Sequence, residues 1–139
     1  MSKTMRLDIL TPERTVCCVE VDMVIARAVD GEVGILYNHA PLVVALDIAP
    51  LRYKIGDEEH QVAVCNGFME VRDNRISVLA PCAETEEEID IRRAAEAKAR
   101  AEERLMHKDD VDVRRAELAL QRALMRLKIA EHTRRGRAT

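Results

Sequence analysis

Ile76-Ser77-Val78-Leu79-Ala80-Pro81-Cys82-Ala83-Glu84-Thr85-Glu86-Glu87-Glu88 is the stretch in which the periodicity of the chain changes. Up to Ala80, apolar residues alternate with others, the period-two pattern of a strand with one buried face. From Thr85 the signals are helical. Thr85 and Glu88 have the spacing of a capping box, and three glutamates in a first turn suit the positive end of a helix dipole. The junction therefore predicts a β architecture before it and an α architecture after it, with the first helix running from Thr85 to about His107.

Working toward the N-terminus, the alternation recurs at Leu7/Ile9, Val19/Val21/Met23/Ile25, Leu42/Val44/Leu46/Ile48, Leu51/Tyr53/Ile55, Val62/Val64 and Met69/Val71. Turn signals separate these runs at short intervals: Thr11-Pro12-Glu13, Asp30-Gly31, Ile55-Gly56-Asp57, Asn66-Gly67 and Asp73-Asn74. Many short strands at this spacing predict a sandwich or flattened barrel. Toward the C-terminus, His107-Lys108-Asp109-Asp110 breaks the helical pattern, and Asp109 or Asp110 is expected to cap a second helix. That helix carries Ala116, Leu120, Ala123, Leu127 and Ala130 in a 4-3-4-3 rhythm, answered on the first helix by Ala94, Ala97, Ala101 and Leu105. A short connection makes the two helices antiparallel neighbours. The fold class is α+β: an N-terminal antiparallel β-sandwich (flattened barrel) over residues 1–84, then a C-terminal antiparallel two-helix hairpin over 85–139.

Alanine in the seam has a physical consequence. It buries little apolar area, well below the ~1.5–3 kcal/mol of a fully buried Leu or Ile, yet it is the best helix former. Each helix is expected to keep its helicity when separated from the other, so the hairpin reads as a device that opens.

Charge is distributed unevenly over the 139 residues, whose net charge is −3. Residues 1–83 carry −4 and residues 84–139 carry +1, while eight basic against three acidic residues from Val111 onward make a +5 arm. Such an arm favours an acidic partner surface, and a solvated charged helix is the plainer alternative. Aromatics are 2% of the chain with no Trp, which argues against a single-strand nucleic-acid binder that needs stacking platforms. No stretch reaches eighteen apolar residues and Met1–Leu10 has no signal-peptide core, so a protein that is soluble and cytosolic, or peripheral to a membrane, is expected. Cys17, Cys18, Cys65 and Cys82 have no C-x-x-C spacing and read as buried free thiols, with adjacent Cys17 and Cys18 pointing to opposite faces of a strand. His39 and His60 have no nucleophile or carboxylate partner that the sequence assigns. No Gly-rich phosphate loop, zinc spacing or triad pattern occurs, so no enzymatic activity and no metal are expected.

Asp90/Arg93 and Arg122/Arg126 are i,i+3 and i,i+4 pairs, each on one helix face, with Arg100 also on the first helix. In an antiparallel hairpin these groups can converge, and clustered guanidinium groups suit bidentate phosphate contacts. An ordinary ion-paired surface is the plainer reading of the same residues.

Val21-Asp22-Met23-Val24, Gly31-Glu32-Val33-Gly34-Ile35-Leu36 with His39-Ala40-Pro41-Leu42, and Gly67-Phe68-Met69-Glu70-Val71 are joined by Ile89-Asp90-x-x-Arg93-Ala94 and Arg115-Ala116-Glu117-Leu118-Ala119-Leu120 with Arg122-Ala123. In this order, over nearly the full length, the chain resembles the family of epsilon subunits of bacterial F-type ATP synthase (delta in mitochondria). One departure is Asn66, where the family commonly has a second glycine; Asn tolerates left-handed backbone, so the turn is expected to survive.

The resemblance implies a non-catalytic rotor subunit in the central stalk, with the gamma subunit, the c-ring and the alpha/beta catalytic head as partners. It implies no nucleic acid, membrane contact only through the complex, and a peripheral location on the cytoplasmic face of the bacterial plasma membrane. It also implies that the extended hairpin blocks ATP hydrolysis, its basic helix presenting Arg114, Arg115, Arg122, Arg126 and Lys128. By the same resemblance Gly31, Glu32, Val33, Gly34, Ile35, His39 and Leu42 form the interface to c-ring and gamma, with Glu32 foremost. As bare sequence, 30–42 is a hairpin connection whose Gly31 and Gly34 give a tight reversal that exposes Glu32, Val33 and His39. Asp90 and Arg93 match the family's ATP-binding signature, with Glu84, Arg100, Arg122 and Arg126 at matching positions. No cofactor is required, and ATP is expected as a regulatory ligand bracing the folded hairpin. The alternatives are a small-ligand-binding β-sandwich whose hairpin oligomerises it, and a duplex binder using the +5 arm, the latter disfavoured by an arm without aromatics.

Overall fold

The computed structural model describes residues 3–107 and 112–138, the last five of these as backbone alone. The chain divides into two units, Met1–Glu86 and Glu87–Thr139.

The first unit is built from β1 (Met5–Leu10), β2 (Thr15–Val21), β3 (Met23–Ala28), β4 (Gly31–Leu36), β5 (Leu42–Ala45), β6 (Ile48–Ile55), β7 (Glu58–Cys65), β8 (Phe68–Arg72), β9 (Arg75–Leu79) and β10 (Ala83–Thr85). They form two five-stranded sheets, ordered β2-β1-β9-β8-β5 and β10-β7-β6-β3-β4. All pairings are antiparallel except one: β1 runs parallel to β9, with Leu7 opposite Ile76 and Ile9 opposite Val78. The inner faces enclose Leu7, Ile9, Val21, Val24, Ile35, Leu51, Val62, Val64, Met69, Val71, Ile76 and Val78, all essentially inaccessible to solvent. The sandwich is the predicted one.

Two local expectations fail for identifiable reasons. Val19/Val21/Met23/Ile25 looked like one strand. The chain instead changes sheet at Asp22, so that β2 and β3 belong to different sheets and the inward phase shifts by one residue. Val24 and Ala26 then fill the core while Met23 and Ile25 point to the outer side. The segment 30–42 is not one connection either. Residues 31–36 are β4, an edge strand paired with β3 from Met23↔Leu36 to Ala28↔Gly31. Only Gly31 of its two glycines has a positive φ, +143°, while Gly34 is an ordinary strand residue.

The left-handed turn at Asn66-Gly67 forms as expected, with φ of +66° and +100°. At Gly67 the requirement is absolute, because a Cβ would sit 2.1 Å from the Leu79 carbonyl oxygen.

The thiol expectation holds only for Cys17, which is buried; Cys18, its neighbour on the opposite face of β2, is exposed. Cys65 and Cys82 are bonded to each other as a disulfide, their Cα atoms 5.4 Å apart. Sequence spacing could not reveal this pair, since it is the β7–β10 adjacency that brings residues 17 apart into reach.

In the second unit, a single 3-10 turn at Glu86–Glu88, which begins at the last residue of the sandwich, leads into α1 (Ile91–Met106), followed by α2 (Val113–Ala138). The α-helix does not start at Thr85. Thr85 ends β10, paired with Val62, and the Glu86 carboxylate accepts from the Gln61 backbone N–H. Strand pairing thus takes the residues that read as a helix start, and the helix begins at Asp90, whose carboxylate accepts from the Arg93 N–H at 3.1 Å. Asp112 caps α2 in the same way through the Arg115 N–H at 3.2 Å. Asp109 and Asp110, the expected caps, lie outside the described residues.

The helices pack on each other through the alanine seam: Ala94 and Ala101 of α1, Ala116 and Ala123 of α2 are buried, with Ala97, Leu105, Leu120, Leu127 and Ala130 half-buried. Met125 and Ile129 are buried as well. At about 100° per residue they fall on a stripe of α2 turned well away from the seam, one that the 4-3-4-3 rhythm does not include.

Candidate functional site

The first candidate surface is β4 and the turn that follows it. Gly31 and Glu32 are exposed, Gly34 is exposed, and Ile35 is wholly buried in the sandwich core. Ile35 therefore has no surface to offer a partner, which corrects its place among the expected contact residues. The alternation of β4 explains this, since Ile35 pairs with Val24 on the inner face. Val33 and Leu42 are half-buried against the same core. Glu32 is held in place: its carboxylate pairs with Arg52 at 2.8 Å, and Arg52 also reaches Glu59 at 3.6 Å.

The turn beyond β4 is fixed by two asparagines, both with left-handed backbone. The Asn38 N–H donates to the Asn74 side-chain oxygen at 2.7 Å, joining this turn to the β8–β9 turn. His39 is half-buried rather than exposed, its N–H donating to the Leu36 carbonyl and its Nδ1 lying 2.7 Å from the Ala40 carbonyl.

A second surface escaped the sequence reading. On the outer face of the β2-β1-β9-β8-β5 sheet, Phe68 lies opposite Leu79 and opposite Ala45, and Val43 follows along β5. Phe68 is 60% exposed, Leu79 57% and Val43 68%, an apolar band across three adjacent strands. The signal was legible: in β5, Leu42 and Val44 take the inward positions, so an apolar Val43 between them had to face out. An apolar band of this kind is a candidate interaction surface.

Beside the band the same face turns charged, with Arg6, Asp8, Glu70, Arg72, Asp73 and Arg75 around Ser77. A hydrogen bond with the Cys18 thiol, then the Arg6 guanidinium at 3.3 Å and the charge of Arg75, hold the Asp8 carboxyl below its ordinary value despite partial burial. On the inner side of β2, burial pushes the Cys17 thiol up.

The third candidate is the arginine set of the hairpin. Arg93 and Arg100, seven residues apart, fall within about 20° of each other around α1, and Arg122 and Arg126 within about 40° around α2. Each pair sits roughly 80–120° from its helix's alanine seam, in the same rotational sense, so an antiparallel crossing puts all four on one side of the hairpin. Arg93 and Arg100 are exposed; Arg122 and Arg126 are half-buried. Asp90 is engaged as the α1 cap. Glu84 belongs to β10 in the sandwich unit, opposite Ala63. Of the basic α2 residues, Arg114 pairs with Glu117 at 3.7 Å, and Arg115 and Lys128 are exposed. Among the described residues no cluster of His, Cys, Asp or Glu is arranged to hold a metal, and no helix is long and apolar enough to cross a membrane.

The chain is a two-part protein: a β-sandwich that exposes an apolar band, and a separately capped helical hairpin. Both parts match known families in sequence. The family described as ATP synthase, Delta/Epsilon chain, beta-sandwich domain matches residues 4–86, and the family described as ATP synthase, Delta/Epsilon chain, long alpha-helix domain matches residues 87–131. The ATP synthase epsilon chain of Desulforamulus reducens is 53% identical over 132 residues, covering 94% of this chain and 100% of the relative. That of Symbiobacterium thermophilum is 53% identical over 128 residues, 91% of this chain and 92% of the relative. The Bacillus pumilus protein of the same name is 48% identical over 128 residues, 92% and 98% of the two chains. A chain in the Euglena gracilis mitochondrial ATP synthase OSCP/F1/c-ring structure has the same fold, with TM-score 0.79 at 24% identity over 95% of this chain and 84% of that one.

The chain belongs to the delta/epsilon chain family of ATP synthase. It is a non-catalytic stalk subunit of a membrane-associated rotary complex, peripheral to the membrane.

Proposed function

We propose that this subunit couples rotation of the gamma subunit and the c-ring and restrains ATP hydrolysis by extending its helical hairpin toward the alpha/beta head, on the cytoplasmic face of the bacterial plasma membrane. The observation that carries the restraint is the construction of the hairpin. Each helix has its own aspartate cap, Asp90 or Asp112, and the seam between them is mostly alanine. Helices built this way survive separation, which a two-state arm requires. The exposed β4 edge with Glu32, and the Val43/Phe68/Leu79 band, supply surface for the rotor partners. The basic side chains Arg114, Arg115, Arg122, Arg126 and Lys128 supply complementarity to an acidic one.

ATP is the regulatory ligand in this reading. Arg93, Arg100, Arg122 and Arg126 on one side of the hairpin provide phosphate donors, and bound nucleotide favours whichever hairpin state holds all four together. Asp90 and Glu84 enter this reading through the family resemblance alone. Removing residues 111–139 should raise ATP hydrolysis by the reconstituted complex; unchanged hydrolysis with assembly intact rejects the inhibitory role. Titration calorimetry of the full chain with ATP tests the ligand. Binding that weakens in the Arg93→Ala plus Arg126→Ala double variant supports the site, and absence of heat at millimolar ATP rejects it.

A further inference from the structure

We propose that Cys65 and Cys82 are a reversible dithiol–disulfide couple that sets how firmly β10, the strand from which the hairpin departs, is fastened to the sandwich. The inference rests on the reading of the hairpin as a regulatory arm. Cys65 is the last residue of β7, and Cys82 immediately precedes β10. Their bond joins residues 17 apart in sequence, with β8 and β9 between them.

What it secures is a short edge strand. β10 has three residues, lies at the edge of its sheet, and among the described strands has β7 as its ladder partner, as Ala83↔Val64, Glu84↔Ala63 and Thr85↔Val62. One further backbone bond, from the Cys65 N–H to the Cys82 carbonyl at 3.1 Å, extends the ladder. A three-residue edge strand sits at the low end of local opening free energies. A covalent link at its first end blocks peeling from that end and keeps the strand close to β7 when its hairpin end opens. The chain then runs through Glu86–Glu88 to the α1 cap at Asp90, so β10 is the last β-strand before the hairpin.

The two sulfurs differ in access. Cys65 is 2% exposed, whereas Cys82 is half-buried. Exchange therefore starts at Cys82. In oxidation the Cys82 thiolate attacks a low-molecular-weight disulfide, releasing one thiolate, and the Cys65 thiolate then displaces the second from the mixed disulfide. Two protons and two electrons leave the protein, and the external disulfide becomes two thiols. A small dithiol reverses both steps. Disulfides in reducing compartments are characteristically transient ones of this kind.

The test uses the full chain alone. It is equilibrated with oxidised glutathione or with dithiothreitol, quenched with N-ethylmaleimide, and followed by peptide mass analysis and amide hydrogen exchange. The expected result is a linked pair of peptides containing Cys65 and Cys82 after oxidation, and two alkylated peptides after reduction. Exchange across Ala83–Thr85 should be roughly tenfold or more slower in the oxidised form, and Cys82→Ser should exchange at the fast rate under both conditions. Alkylation of both cysteines after oxidation, or equal exchange in the two forms, overturns the proposal. If Cys82→Ser does not fold, the two redox forms of the unsubstituted chain decide it alone. A hairpin deletion that leaves hydrolysis unchanged rejects the regulatory reading, and the redox measurement stays independent of that result.

Discussion

Two residues show how far a single side chain, or the lack of one, sets this molecule. Gly67 combines φ of +100° with no room for a Cβ, since backbone atoms of Leu79 and Ala80 stand 2.1 and 2.8 Å from where it would be. Gly67→Ala should lower unfolding free energy by upwards of about 3 kcal/mol, read from denaturant midpoints, whereas Asn66→Gly should be nearly neutral. The Asn66-Gly67 turn was legible in sequence; the closeness of Leu79 was not, because it depends on how β8 pairs with β9. Asp8 makes the second case. Its carboxyl value is depressed by Cys18, Arg6 and Arg75, so the unfolded chain holds the proton more readily than the folded one. The stabilisation is fully present above the ordinary aspartate value of about 3.9 and is lost as pH falls through the lower folded value. Thermal midpoints of the unsubstituted chain should therefore fall more steeply below about pH 4 than those of Asp8→Asn; parallel curves would refute the linkage.

At the scale of elements, the boundary of the first helix was decided by competition. Thr85-Glu86-Glu87-Glu88 has helix-start chemistry, but β7 offers Thr85 a strand partner and the Gln61 N–H occupies the Glu86 carboxylate. Strand pairing holds these residues at the sheet edge, and the α-helix begins only behind Asp90. The same shift moved the acidic residues out of the first turn of α1, which begins at Ile91 behind its Asp90 cap. Asp90→Ala should reduce stability of the helical unit by about 1 kcal/mol, with loss of helical circular dichroism on heating. Asp90→Ser should restore the cap without restoring a carboxylate. ATP affinity that recovers in Asp90→Ser would show that Asp90 acts by capping, and affinity that stays low would show that it touches the ligand. The alanine seam was readable from its rhythm. The burial of Met125 and Ile129 was not, since a single-face rhythm cannot report a second stripe on the same helix.

For the whole molecule, the exposed band of Val43, Phe68 and Leu79 is the feature whose consequences reach beyond the chain. Phe68→Asp should change the stability of the isolated protein by less than about 1 kcal/mol, because its side chain is already largely in water. It should weaken co-assembly with the gamma subunit tenfold or more in a binding titration, as loss of an apolar anchor does. Equal affinity would remove the band from the interface. The sequence by itself determined the class of fold, the strand-rich half and the helical half, and the Asn66-Gly67 turn. These follow from periodicity and backbone chemistry, which act between near neighbours. Only the tertiary structure decided that Ile35 is core rather than contact surface, that the chain changes sheet at Asp22, that Glu32 is tethered by Arg52, and that Cys65 meets Cys82. Each of these depends on which strands lie side by side, a matter of long-range pairing that no local pattern encodes.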